Sequence, residues 1–319
     1  MNTDFYLILD TNVYRTLVHN RSYEEVRTIA SLIATQNKRL KLQPLIEMAS
    51  CMELISHVQD NGRHRDSCRK SILLMSLICS HEYLIPTPEI EIAKKYFGII
   101  LDNPANIAHQ TAGLALEIAK YEANGYNEIL SHDVEVVKKI VHKKETQMRN
   151  DFYLSIRQKD EKSSTWQLFQ NDKQKRKAHL DYLQSDVFLD YIANLQLKVI
   201  TNLSLKEKKE NALTPEKKRF FLKDYPNRYI ASMEMQRIFL EKFINCNFDL
   251  EAKQDRVNYH WDCIILHSAG QLFNNKPIVI VSNDKDLVKS AQKANTMIWN
   301  IEEYLSKLDL DIFKSVSKE

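Results

Sequence analysis

Phe5-Tyr6-Leu7-Ile8-Leu9-Asp10-Thr11-Asn12 decides how the chain is read. Five consecutive apolar residues are what a parallel strand covered on both faces requires, and the run stops at a carboxylate. Asp10 therefore stands at the carboxyl edge of a sheet, where open α/β folds bind their ligands. Thr11 or Asn12 can cap a following helix through Val13 and Leu17. An Asp after a strand also serves simply as a turn residue, and the octapeptide alone leaves both readings open. The pattern returns near the other end of the chain. Ile278-Val279-Ile280-Val281 is a second apolar, β-branched strand, and Ser282-Asn283-Asp284-Lys285-Asp286 follows it and opens another helix. Between them, Asn258-Tyr259-His260-Trp261-Asp262 opens an apolar helix over 263–272 with Asp262 in its first turn, where the helix dipole favours a carboxylate.

The remaining elements fill in an α/β core. Ser22-Tyr23-Glu24-Glu25 reads as a capping box ahead of a helix burying Val26, Ile29, Ala30 and Ile33. Leu40 to Ile46 is the second strand, with Pro44 restricting it to an edge or a strand end. A helix carrying Glu53 follows and breaks at Asn61-Gly62. Near the end, residues 296–300 form a short strand and Asn300-Ile301-Glu302-Glu303 caps a last helix.

Taken together, Leu9-Asp10-Thr11-Asn12, Glu53-Leu54, Asp262 and Ser282-Asn283-Asp284-Lys285-Asp286 resemble, in their order, the PIN-domain family of metal-dependent nucleases. The resemblance covers 1–60 and 256–319. It implies a PIN-like core, a central mainly parallel sheet flanked by helices, interrupted by a large all-α insertion over 61–255. It further implies that Asp10, Glu53, Asp262 and Asp284 converge on Mg²⁺ or Mn²⁺ as catalytic metal ligands, with Ser282, Asp286 and Asn12 as auxiliary residues. Glu47, six residues before Glu53, is the competing second acid. The implied reaction is hydrolysis of phosphodiesters to a 5′-phosphate and a 3′-hydroxyl.

The chemistry of the residues agrees with that reading. Gathered carboxylates repel one another unless cations neutralise them, and hard oxygen ligands select Mg²⁺ or Mn²⁺. Two ions about 4 Å apart would activate a water and stabilise the leaving oxygen of an in-line displacement. Other schemes lack their signatures: the chain has no G-x-S-x-G, H-E-x-x-H, Walker or G-x-G-x-x-G motif. His57, His64 and His260 lie near the acids in sequence and read as hydrogen-bonded structural residues.

Composition sets the frame around these motifs. A chain of 319 residues with 44% apolar residues builds a substantial core, and five Gly and seven Pro are few for an all-β protein. The net charge of +3 leans only slightly toward anionic partners. Cys51, Cys68, Cys79, Cys246 and Cys263 show neither C-x-x-C spacing nor a disulfide framework and read as buried thiols. No apolar run reaches membrane-spanning length and no leader is visible, so no membrane partner and a cytoplasmic location are expected.

In 66–255 the periodic segments read as helices. Thr87-Pro88 and Thr214-Pro215 are helix starts, Asn124-Gly125 a helix stop, and a long helix begins at Ser131. Arg63 and Arg65, then Lys173, Lys175 and Arg176, then Lys217, Lys218 and Arg219, form basic clusters. A further run, Lys206 to Lys209, sits in a connection rich in Ser, Thr and Asn. Such runs are either solvated faces or, with Tyr182, Tyr225, Arg228 and Tyr229, phosphate and base contacts for a single-stranded nucleic acid. The resemblance to the PIN-domain family implies RNA as the expected substrate, including a folded RNA such as tRNA, cut by a prokaryotic toxin or anti-phage defence effector. The insertion would clamp RNA, form a homo-oligomer interface or bind a regulatory protein. The alternatives are a flap-type DNA endonuclease and a non-catalytic RNA- or protein-binding scaffold.

Overall fold

The computed structural model describes residues 3–121, 130–156, 171–245 and 259–310. Strand β1 (Phe5–Leu9) lies at the centre of an α/β fold, with β2 (Leu42–Glu47) on one side and β5 (Lys276–Val281) on the other, both parallel to it. Leu7, Ile8 and Leu9 are essentially inaccessible, which the unbroken apolar run requires of a strand covered on both faces. Their register pairs Leu7 with Val279 and Leu9 with Val281, so the two strands end level. The Asp10 N–H donates to the Val281 carbonyl at 3.0 Å and closes the ladder there.

Beyond β5 lie β4 (Leu272–Phe273), antiparallel to its start, and β6 (Ile298–Trp299), parallel to its end. Asn274 and Asn275 join β4 to β5 with φ of 47° and 59°, the paired positive angles of a tight hairpin turn. At the far edge, β3 (Ser80–Ile85) runs parallel to β2. This strand corrects the expectation that 61–255 is entirely helical. Pro44 also sits within β2 rather than at its end. It is accommodated because β3 pairs with β2 only from Leu45 onward, leaving Pro44 with β1 alone beside it.

Helix α1 (Thr11–Val18) leaves β1 directly. Helix α2 (Tyr23–Arg39) opens with the expected capping box: the Glu25 N–H donates to Ser22 Oγ at 3.2 Å, and the Ser22 N–H donates to Glu25 Oε2 at 2.6 Å. Asn300 and Glu303 repeat the device at the Ile301–Lys307 helix. Helix α3 (Met48–Ser56) follows β2 without a loop, and α4 (Arg63–Ile78) begins after Gly62, whose φ of 71° supplies the sharp turn. The helix starts at Pro88 and Pro215 and the long Ser131–Ile156 helix are present as read from sequence. The Asn124-Gly125 stop lies outside the described residues. Of the Lys206 to Lys209 run, Lys206 ends the Asp186–Lys206 helix and the rest lies in the connection that follows it, as read from sequence.

Two hydrophobic cores divide the helices differently from the expected boundary at residue 60. The sheet's core takes in Cys68 and Ile72 of α4, Ile85 of β3, Leu114 and Ile118, and Val134, Val137 and Val141. A second core gathers residues from Ile92 to Leu101 and from Leu183 to Ile244. Much of the expected insertion thus belongs to the sheet layer. The physical reason is that α3 buries its apolar surface against α4 and against the Asp102–Lys120 and Ser131–Ile156 helices.

Tyr225 and Tyr229, read as base-stacking candidates, are buried in the second core, where the rings of Phe221, Tyr225 and Tyr229 pack at a tilt with successive centroid distances of 4.9 Å. Tyr229 also stacks on His267 at 3.8 Å, tying this core to the Tyr259–Ala269 helix. Gly270 ends that helix against them. A Cβ there would lie 2.5 Å from the Arg228 carbonyl oxygen and 2.7 Å from the Tyr229 ring. Gly270→Ala should therefore lower unfolding free energy by about 1–3 kcal/mol, measured by denaturant titration, because a backbone carbonyl cannot step aside. No described helix is long and apolar enough to cross a membrane.

Candidate carboxylate site

Because β1 and β5 end level, Asp10 and Ser282 are neighbours at the sheet's carboxyl edge. Ser282 Oγ donates to Asp10 Oδ2 at 2.8 Å and accepts the Asp284 N–H at 3.0 Å, so one hydroxyl fixes both strand-end acids. Asp284 is the N-cap of the Lys285–Lys293 helix. Its Oδ1 accepts the N–H groups of Asp286 and Leu287 at 2.8 and 3.0 Å. Asp10 stands at the N-cap of α1 but makes no capping bond, leaving its side chain to the site. The Thr11 hydroxyl lies 3.2 Å from Asp10 Oδ1 and 3.0 Å from Glu53 Oε2, and its single proton serves one at a time. Asn12 Nδ2 reaches Asp10 Oδ2 at 3.5 Å, the limit of a hydrogen bond.

Glu53 and Glu47 are placed differently. Glu53, on α3, faces Thr11 and pairs with Arg15 Nη2 at 3.4 Å. Glu47 is the N-cap of α3, with Oε2 accepting the Ser50 N–H at 2.8 Å and Oε1 buried without a hydrogen-bond partner. At 1% exposure it is sealed beneath the site. Burial, followed by the Asp10 charge, pushes the Glu47 carboxyl up to about 7.

Asp262, in the first turn of its helix, is the acid under the greatest electrostatic pressure. Loss of water raises its pKa well above the ordinary range, and the charges of Asp10, Asp284, Glu53 and Asp286 raise it further. Burial likewise raises Asp10, with Asp284 adding to it and the Ser282 and Thr11 hydroxyls opposing. Glu53 is raised by burial, against the pull of Arg15. The electrostatics therefore place Asp10, Glu53, Asp262, Asp284 and Asp286 in one field. Only Glu53 and Asp286 of these have ion-pair partners, Arg15 and Lys242 respectively. Asp10, Asp262 and Asp284 have none among the described residues.

Asn12, Arg15, Lys242, Lys285, Asp284 and Asp286 are among the residues lining an open cleft of about 880 Å³. Its lining thus carries both signs of charge, Asp284 and Asp286 with Arg15, Lys242 and Lys285, while Asp10, Glu53 and Asp262 are not among its lining residues. Arg15 and Lys242 are functional candidates that sequence reasoning passed over. Arg15 lies four residues after Thr11 on the same helical face, so its place was legible. Lys242 comes from the Ile230–Ile244 helix, which packs against the Tyr259–Ala269 and Lys285–Lys293 helices, and no local signal announces that docking.

The eight cations read as nucleic-acid contacts do not line this cleft. Arg63 and Arg65 lie in the first turn of α4. Lys173, Lys175 and Arg176 start the Lys173–Leu183 helix. Lys217 donates to the Phe97 carbonyl at 2.8 Å, Lys218 sits beside it, and Arg219 pairs with Glu216 at 3.8 Å in solvent.

The donor set suits a hard divalent cation, since every candidate ligand is a carboxylate oxygen and three carboxylates lack a counter-charge. The acids are spread, however. Among the described residues the one group of three ligating side chains within 4.8 Å of one another is His57, Asp60 and His64. Neither a protein-family model, nor a curated protein, nor a solved structure matches the chain.

Proposed function

We propose that this protein is a divalent-metal-dependent nuclease with a PIN-like core, cutting RNA at the carboxyl edge of its sheet. The observation that carries the reading is that Asp10, Asp262 and Asp284, three acids without counter-cations among the described residues, and Glu53 share one electrostatic field, beside a cleft that Asp284 lines together with Arg15, Lys242 and Lys285. Holding unpaired carboxylates together opposes folding, which fits a site kept for cation binding better than one kept for stability.

Asp10, Glu53, Asp262 and Asp284 would hold Mg²⁺ or Mn²⁺. When bound, such cations supply Lewis-acid stabilisation to a phosphodiester under attack and lower the pKa of water. The chain's own groups do the rest. Ser282 keeps Asp10 and Asp284 in fixed relation, and Thr11 links Asp10 to Glu53. Arg15, Lys242 and Lys285 offer phosphate contacts that position the backbone without reading its sequence.

The test is cleavage of single-stranded RNA, tRNA and branched DNA in Mn²⁺, by the wild type and by Asp10→Asn side by side. Cleavage of RNA that drops at least about 100-fold in the variant is expected, since even changes outside the ligand shell weaken metal sites 10–100-fold. Preference for branched DNA would move the substrate to the flap-type class. Binding of RNA with no cleavage and no dependence on divalent ions would leave a scaffold. Undiminished cleavage by Asp10→Asn would remove Asp10 from the chemistry.

A further inference from the structure

The turn between α3 and α4 holds a second set of metal-ligating side chains that shares no residue with the carboxylate site. His57 caps the end of α3, Asp60 lies in the turn, and His64 is the second residue of α4. The backbone fixes their relation. The Asp60 N–H donates to the His57 carbonyl at 3.1 Å, and Gly62 turns the chain into α4 at φ 71°. One ligating atom from each of the three lies within 4.8 Å of the others. The imidazoles meet edge to face, 4.7 Å between centroids and 79° between planes.

We propose that His57, Asp60 and His64 form a site for a borderline divalent transition metal such as Zn²⁺ or Co²⁺, clasping the end of α3 to the start of α4. Two imidazoles and one carboxylate are the ligand set that such ions prefer, whereas Mg²⁺ and Mn²⁺ favour all-oxygen sites. Three protein ligands on a partly exposed turn leave the outer position to water. The rearrangement needed is small. His57 Nδ1 now lies 2.7 Å from Asp60 Oδ2. Two atoms on one tetrahedral ion at ordinary Zn–N and Zn–O lengths stand about 3.4 Å apart, so the pair opens by less than an ångström. Lys138 Nζ, 3.6 Å from Asp60 Oδ1, holds the carboxylate from the other side and gives way or remains as a hydrogen-bond donor.

His64 is the exposed member of the cluster. Neither of its ring nitrogens has a hydrogen-bond partner among the described residues, whereas the His57–Asp60 pair satisfies itself.

The experiment is Co²⁺ titration of the metal-stripped, full-length protein, followed by visible absorption and by Tm. The wild type should bind one Co²⁺ with the intense d–d bands of a nitrogen-ligated, low-coordinate ion. Asp262→Asn, which alters only the carboxylate site, should keep those bands. His64→Gln and the double variant His57→Gln/His64→Gln should lose them, with Co²⁺ affinity weakened at least about 100-fold. Both histidines are partly exposed or exposed, so unchanged far-UV circular dichroism is expected in the variants. The proposal is overturned if the wild type shows no such bands. It is equally overturned if they persist in the histidine variants or vanish with Asp262→Asn.

Discussion

Asp262→Asn should abolish divalent-dependent cleavage and, in metal-free buffer at neutral pH, raise the Tm. The two effects have one source. Asp262 accepts no hydrogen bond among the described residues, pairs with no cation, and faces the charges of Asp10, Asp284, Glu53 and Asp286. Its folded pKa is raised well above the unfolded value, so the folded state binds the extra proton. For a raised acid, stability is complete below the unfolded pKa and declines as pH climbs through the folded pKa. Asparagine keeps the shape of the protonated acid without that decline. The gain in Tm should thus be small near pH 4 and grow toward neutral pH. Mn²⁺ should reverse the order, raising the wild-type Tm by binding while leaving the variant nearly unmoved. Activity should fall at least about 100-fold, as loss of a direct ligand exceeds the 10–100-fold effect of outer groups. A drop in the metal-free Tm would make Asp262 a structural helix-start residue, and unchanged cleavage would take it out of the site.

Asp10 and Asp284 could be placed from sequence because they sit where local pattern is strongest. An apolar run ending at Asp10 and another ending at Ser282 can only be neighbouring parallel strands if their ends face the same way, and they do. Helix caps at Ser22, Thr214 and Asn300 were equally legible, since each depends on residues within one turn. Strand β3 was not. Ser80-His81-Glu82-Tyr83-Leu84-Ile85 is short and half polar, as a sheet edge tolerates, and nothing within it says that β2 has a free side. The second core shows a different failure. Phe221, Tyr225 and Tyr229 are spaced four apart, a buried helical stripe, yet the flanking Lys and Arg residues invite a reading as a nucleic-acid surface. Aromatics among charges signal stacking only when they are exposed, and exposure is a property of the whole fold.

Tertiary placement also separates two acids that the sequence left in competition, and this leads to the second large expected effect. Glu47→Gln should stabilise the protein above pH 7 by up to about 3 kcal/mol while leaving cleavage near the wild-type rate, whereas Glu53→Gln should lose cleavage. Glu47 is 1% exposed and its folded pKa is pushed up to about 7 from 4.5 by burial. At about 1.4 kcal/mol per pH decade, that difference sets the size of the effect. The sign follows from proton uptake. Between pH 4.5 and about 7 the folded state holds a proton that the unfolded state has released, so wild-type stability falls with rising pH across this window. Glutamine has no proton to lose and retains the oxygen that accepts the Ser50 N–H, so the cap on α3 survives. Its amide also offers donors, one of which must settle in the place of the partnerless Oε1. Urea unfolding of both proteins from pH 4.5 to 8.5 measures the result: curves that meet at low pH and diverge toward 8.5 are expected. Parallel curves would mean that Glu47 is ionised throughout, its charge held by the Ser50 N–H against the Asp10 charge. Loss of cleavage in Glu47→Gln with retention in Glu53→Gln would exchange the two roles and put the second acid at the end of β2 instead of on α3.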